Sequence, residues 1–222
     1  MTETARPEPF FIADDHALDL LNSVATPWGT EIEWLGDGRD LLAWLEQAGL
    51  VPPDVSMRFR EKTSPEALDG VAVQARELRE WFRAFVAAHA GRRLEPSALA
   101  DLDKINRLLA RDEIYRQIEP RAIKARNASQ ETQGAHSSSL QWRRHRRWRA
   151  PEDLLLPIAE AMGDLICRAD FERVRNCEGP TCTLWFHDVS KNHTRRWCMM
   201  AVCGNRAKAA AHRARRRAAR LA

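Results

Sequence analysis

Apolar residues recur at three- and four-residue steps through most of the first two thirds of the chain. "DDHALDLLNSV" and "GRDLLAWLEQAGL" both carry this helical period, with Asp14 placed to cap the first and Gly49 to stop the second. The longest helical pattern is "SPEALDGVAVQARELREWFRAFVAAHAG", where Ser64 can cap, Pro65 suits the first turn and Gly91 ends the run. "PSALADLDKINRLLAR" predicts a further helix. "EIYRQIEP" and "LQWRRHRRW" look extended, and the polar "NASQETQGAHSSS" between them predicts a hairpin with a long, mobile tip. "PEDLLLPIAEAMGDLICRAD" returns to helix, with Pro157 near its start. Beyond the boundary at Ala169–Glu172, "ERVRNC" and "TLWFHDVS" predict two short strands. "NRAKAAAHRARRRAARLA" predicts a last helix with Asn205 as its N-cap. The fold class expected is mainly α (α+β). A helical N-terminal domain, residues 1–169, carries a small β-hairpin, and residues 170–222 form a second β-hairpin followed by a basic helix.

Composition narrows the class. Of 222 residues, 44% are hydrophobic and 30% charged, enough for a core and typical of a soluble protein. No run approaches the ~18 consecutive apolar residues of a membrane helix. "MTETARPEPF" has no basic start followed by an apolar stretch, so no secretory signal is expected and the chain reads as cytoplasmic. In that compartment, cysteines serve more often as metal ligands or free thiols than as disulfides. The net charge of +4 hides an asymmetry. Residues 171–222 hold 12 Lys and Arg against 3 Asp and Glu, and residues 1–170 hold 23 against 28. An acidic body with a basic tail points to a polyanion partner for the tail.

Four of the five cysteines fall in "NCEGPTCTLWFHDVSKNHTRRWCMMAVCGNR". Cys177 and Cys182 bracket four residues, Cys198 and Cys203 bracket four, and fifteen lie between the pairs. Gly179 and Pro180 form a turn that can fold two thiolates toward one point. A segment of some fifty residues has little core of its own, and a metal cross-link supplies what it lacks. One structural zinc per chain, held by Cys177, Cys182, Cys198 and Cys203, is the leading expectation, because four thiolates suit a closed tetrahedral site. The four-residue bracket is at the wide end of zinc-finger spacing. Iron–sulfur or redox thiols and free buried thiols stay open beside it. His187 or His193 could replace one cysteine, and Cys167, inside an apolar helical pattern, is expected to be a small core residue.

"WFHDVSKNHTRRWCMMAVCGNRAKAAAHRARR" closely resembles the CGNR-type zinc finger, whose motif stands here as Cys203-Gly204-Asn205-Arg206. "HALDLLNSVATP" at 16–27 followed by "DLLAWLEQAGL" at 40–50 resembles the ABATE domain that accompanies that finger in bacteria. Residues 111–150 contribute nothing to the resemblance. The family is described as stress-induced transcriptional regulators. The resemblance therefore implies a DNA-binding finger, a stress-response role and the same four cysteines as zinc ligands.

The residues add their own case for nucleic acid. On a helical wheel Arg206, Arg213, Arg216, Arg217 and Arg220 share one stripe. Ala207, Ala210, Ala211, Ala214, Ala218 and Leu221 form the adjacent apolar one. The basic stripe can follow phosphates, with Lys208, Lys191, Arg195 and Arg196 adding charge. Asn205 could read a base edge. The apolar stripe could pack on the body or on a second subunit, so a homodimer is within the expectation. Against this, a charge run is most often a solvated face, and Ala/Arg helices form well in any case.

"WRRHRRWR" at 142–149 has two readings. Its aromatics and arginines suit base stacking in single strands. The blander reading has the tryptophans on the body and the arginines paired with its excess acids, and it is preferred. No phosphate loop or nucleophile elbow is present, "DDH" at 14–16 forms no catalytic set, and four thiolates leave zinc no open position, so no enzyme is expected. The N-terminal domain holds six of eight tryptophans: Trp28, Trp34, Trp44, Trp81, Trp142 and Trp148. It is expected to sense a small-molecule or protein effector, or to dimerise. The rival to a DNA-binding regulator is a protein–protein adaptor whose zinc only holds the fold and whose arginines meet an acidic partner.

Overall fold

The computed structural model describes residues 6–26, 29–121 and 139–220. Its first helix, α1 (His16–Leu21), is capped by Asp15, whose carboxylate accepts from the N–H groups of Ala17 and Leu18. Asp14, the cap expected from sequence, instead adopts φ 59° and forms an ion pair described below. Two residues on each side, β1 (Val24–Ala25) and β2 (Ile32–Glu33), make a minimal antiparallel pair. Helices α2 (Gly38–Gln47), α3 (Pro53–Lys62) and α4 (Pro65–His89) follow. Gly49 and Gly91 take φ 68° and 77° and end α2 and α4, and Ser64 caps α4 through Ala67 N–H. Neither α3 nor the β1–β2 pair was expected. The run "PDVSMRFREK" buries only Val55, Ser56 and Phe59, too few to set a clear period. The expected helix over 96–111 is broken: a 3₁₀ turn, Pro96–Asp101, gives way at Leu102 to α5 (Asp103–Leu109).

The predicted hairpin is present. Strands β3 (Ile114–Pro120) and β4 (Leu140–Arg146) pair antiparallel over seven positions, with Ile118 opposite Trp142. Its tip, including the polar run at 127–138, lies outside the described residues. A 3₁₀ turn, Pro151–Leu155, leads into α6 (Leu156–Arg168). The C-terminal strands are shorter than expected, β5 (Val174–Asn176) against β6 (Trp185–His187). A single π-helical turn, Met200–Gly204, runs straight into α7 (Asn205–Ala218).

The core is one cluster and not two. Leu18 and Leu21 of α1, Leu41 and Leu45 of α2, Phe82 and Val86 of α4, and Ile158 and Met162 of α6 are buried in the same cluster as Phe171, Val174, Leu184, Phe186 and all four clustered cysteines. Of the tryptophans in the N-terminal stretch, Trp34 and Trp44 are buried, Trp81 and Trp148 are partly buried against the core, and Trp142 is 66% exposed. Trp28 lies outside the described residues. Cys167, expected in the core, is exposed near the end of α6. No helix among the described residues is long and apolar enough to cross a membrane.

Candidate metal centre and nucleic-acid interface

Two turns bring the cysteines together. After β5, the N–H of Cys177 donates to Leu184 O (2.9 Å) and that of Cys182 to Gly179 O (3.0 Å), which closes the "CEGPTC" loop. The second pair is set by the π turn. The N–H groups of Cys203 and Gly204 both donate to Met199 O (3.1 Å each). A wider turn than the α-helix places Cys203 back beside Cys198 across the four-residue bracket. The N–H of Glu178 donates to Arg196 O (3.0 Å) and ties the two halves. Gly179 leaves little room for a side chain here. A Cβ on it would lie 3.0 Å from Cys203 Sγ and 3.0 Å from Cys182 Cβ.

All four Sγ atoms lie within 4.8 Å of one another and all four residues are buried. Cys182 Sγ and Cys198 Sγ are 3.7 Å apart. Four sulfurs at ~2.3 Å from a tetrahedral zinc stand about 3.8 Å apart, so the donor set fits the metal. The local polarity fits as well. Cys177 Sγ accepts from the N–H of Cys198 (3.3 Å) and of Gly179 (3.4 Å). Hydrogen bonds from the Cys182 and Cys198 thiols, joined by those N–H groups, hold the Cys177 thiol far below its usual range. Those two thiols, facing a thiolate, are pushed up, Cys182 to about 12. Four sulfurs this close ionise together only around a cation, which is how zinc binding couples to proton release. The site holds one structural zinc. Among the described residues only the four cysteines form a metal-competent group. His187 and His193 are not in it. His193, at φ 49°, sits with Nδ1 3.4 Å from Asp188 O.

The centre is sewn to the helical body. Asn22, at the end of α1, donates from Nδ2 to Trp185 O (2.8 Å) and accepts at Oδ1 from Trp185 N–H (2.7 Å). His187 N–H donates to Ala13 O (2.9 Å), and the hydroxyl of Thr26 donates to Thr181 O (2.8 Å). Arg195 completes the seam. Its guanidinium donates to Asp14 (2.8 Å), Ile12 O (2.9 Å), Cys198 O (2.7 Å) and Trp197 O (3.2 Å), and lies over the Phe186 ring. Four of its five N–H groups are thereby spent inside the fold. Burial works against the charge of Asp188, yet the hydroxyl and N–H of Ser190 and the N–H of Arg195 hold its pKa below the ordinary value and shape the 188–195 loop.

These contacts correct part of the interface expected from sequence. Arg195 is a structural brace. Arg196 pairs with Glu178 at 2.6 Å and lies over the Trp197 ring. Asn205 is inside helix: Met199, not Asn205, precedes the first turn, and no side chain caps α7. Lys191 is exposed. Lys208, Arg213, Arg216, Arg217 and Arg220 are exposed, as are His212 and Arg215, which the single-stripe reading left out. The alanine stripe does not pack on the body. No residue of α7 is buried.

Asn22 and Arg195 are the side chains that sequence reasoning could not find in their true roles. An asparagine closing an apolar helix and an arginine in a basic run carry no local signal of a partner more than 150 residues away.

The family model ABATE, described as "Putative stress-induced transcription regulator", matches residues 14–169, and the CGNR zinc finger model matches residues 173–216. The ABATE match includes residues 111–150. No curated protein matches the chain.

Proposed function

The chain belongs to the ABATE family, whose description is "Putative stress-induced transcription regulator", and on that premise we propose that it binds duplex DNA through α7, presented on a rigid zinc knuckle. One observation carries the proposal. Between Asn205 and Ala218 the helix has four arginines besides Arg206, one lysine and one histidine, no acid, and no buried residue. Lys208, Arg213, Arg215, Arg216 and Arg217 make no ion pair among the described residues. Such a helix repels itself unless a polyanion neutralises it. Fourteen residues span about 21 Å, and the major groove admits an α-helix with arginines on both flanks reaching phosphates. Arg206, Lys208, Arg213, Arg216, Arg217 and Arg220, with Lys191 on the knuckle, are the contacts proposed, and Asn205 sits in the first turn of the same face. Zinc in this reading is purely structural. Its four thiolates leave no position for water, so no catalysis is proposed at this metal. Residues 1–169 serve as the sensing or dimerising part.

The test is a gel shift with zinc-loaded protein on mixed duplex DNA at several salt concentrations. The full chain is expected to bind with steep salt dependence. A chain ending at Gly204 is expected to keep its zinc and lose binding. Salt-insensitive or absent DNA binding by the full chain, with tight binding to polyglutamate instead, overturns the reading in favour of an adaptor for acidic protein.

A further inference from the structure

Between α4 and α5 lies a cleft of about 470 Å³, none of whose lining residues belongs to the metal centre, the β3–β4 hairpin or α7. Its size is that of a small-molecule site. The wall is mainly apolar: Leu78 and Leu155, both buried, and Trp81 and Leu108, both partly buried, line it. Phe85 stacks on Trp81, with ring centroids 6.2 Å apart and planes at 24°, which steadies the indole.

The polar lining carries more acid than base. Asp103 is held by Arg107 at 2.8 Å, which leaves Glu77 and Asp101 against Lys104. Among the described residues, Glu77, Asp101 and Lys104 form no salt bridge. Glu77 lies four residues before Trp81 on α4, so the two side chains share one face of the helix. Lys104 shows what the indole attracts. Its ammonium stands 5.9 Å from the Trp81 centroid, within cation–π reach. A compact, well-hydrated lysine ammonium gains little on such a ring at the surface. A cation carried on an apolar body would also bury that body against the leucines.

We propose that this cleft binds an organic ammonium compound, its cation between the Trp81 ring and the Glu77 carboxylate and its apolar body on Leu78, Leu108 and Leu155. Lys104 then acts as a built-in competitor, because it occupies the ring and offsets the acids. The site lies in the part assigned above to sensing or dimerising. Its binding is measured without DNA, so its failure would leave the assignment of α7 untouched.

The test is calorimetric titration of full-length, zinc-loaded protein with phenethylammonium chloride. A single saturable site is expected, tighter by about threefold or more than for the neutral analogue 2-phenylethanol, with no binding of the anion 3-phenylpropionate. Glu77→Gln is expected to weaken the ammonium compound by about threefold, and Lys104→Ala to tighten it by about the same factor. Glu61→Gln, which removes the same charge from an exposed position of α3, is expected to leave the affinity unchanged, with thermal melts confirming that all the chains are folded. Absence of saturable binding, equal affinity for the alcohol, binding of the anion, unchanged affinity in Glu77→Gln, or no gain in Lys104→Ala overturns the proposal.

Discussion

Residues 142–149 and 206–220 are both arginine-rich, and composition alone does not separate them. Their surroundings do. Every arginine of 142–149 faces a carboxylate: Arg143 with Glu119, Arg144 with Glu160, Arg146 with Asp112 and Glu160, and Arg147 and Arg149 with Glu113. The acids come from the preceding strand, the turn before it and α6, so the fold itself neutralises the hairpin. The last carboxylate side chain in the sequence is Asp188, and α7 leaves the body without packing on it. Basic charge becomes an interface only where the chain supplies no counter-charge, and that is decided by tertiary neighbours. Arg195 makes the same point within the finger, where a cation expected at phosphate braces the seam instead.

The contrast can be broken most forcefully at the metal. Cys182→Ser should lose zinc, and with it the stem that holds α7. Because the cysteines share one core with the helical body, metal loss should also lower the melting temperature of the whole chain as a single transition. A separate N-terminal transition that chelation leaves unmoved would contradict the shared core. The next effect in size is Arg146→Ala. It leaves Asp112, whose side chain is 6% exposed, as an unpaired buried charge. A loss of about 3 kcal/mol in denaturant unfolding is expected, with DNA affinity of the folded fraction unchanged.

Helical period, the caps at Ser64 and Gly91, the β3–β4 hairpin and the four zinc ligands were all legible in the sequence, because each rests on local geometry or on residue spacing. What was not legible depends on partners distant in the chain. Asn205 seemed a cap because asparagine before a helical run commonly is one, yet the π turn starts the helix at Met200. Trp142 and Trp148 look equivalent in the strand pattern. Trp148 packs beside Phe59 at 6.5 Å while Trp142 stands in solvent, since only the former meets a helix. Cys167 lies in an apolar pattern but falls on the open side of α6.

Carboxylates show the same division as arginines, which sharpens the comparison further. Asp19 is buried like Asp112 but has backbone donors only, the N–H groups of Ile12 (2.9 Å) and Ala13 (3.0 Å). Burial outweighs those bonds and raises its pKa to about 6. A carboxyl with a raised folded pKa binds its proton more tightly when folded. Its contribution is therefore full below about pH 4, falls as the pH rises toward 6, and stays lost above. Relative to Asp19→Asn, the wild type should lose about 2 kcal/mol between pH 4 and 7. Denaturant midpoints of the two chains at matched zinc content measure this, and a pH-independent difference would show that Asp19 is ionised throughout. A smaller effect is expected at Gly204. There an added methyl group presses on the flexible end of Met200, half exposed, and meets Trp197 Cδ1 at 3.4 Å, so Gly204→Ala should cost less than about 1 kcal/mol. Gly179→Ala, pressed against two cysteines, should weaken zinc by at least tenfold in a competition titration, about 1.4 kcal/mol.

The most direct measurement is the salt dependence of DNA binding in two triple variants of the full, zinc-loaded chain. Each phosphate contact removed should lower the slope of log affinity against log salt by about 0.9. Arg213→Ala/Arg216→Ala/Arg217→Ala should therefore reduce the slope by about 2.7 while leaving the melting temperature within a degree or two of wild type. Arg143→Ala/Arg144→Ala/Arg147→Ala should leave the slope unchanged. The reverse result, a slope lost with the hairpin arginines and kept without those of α7, would contradict the assignment of α7 as the nucleic-acid surface.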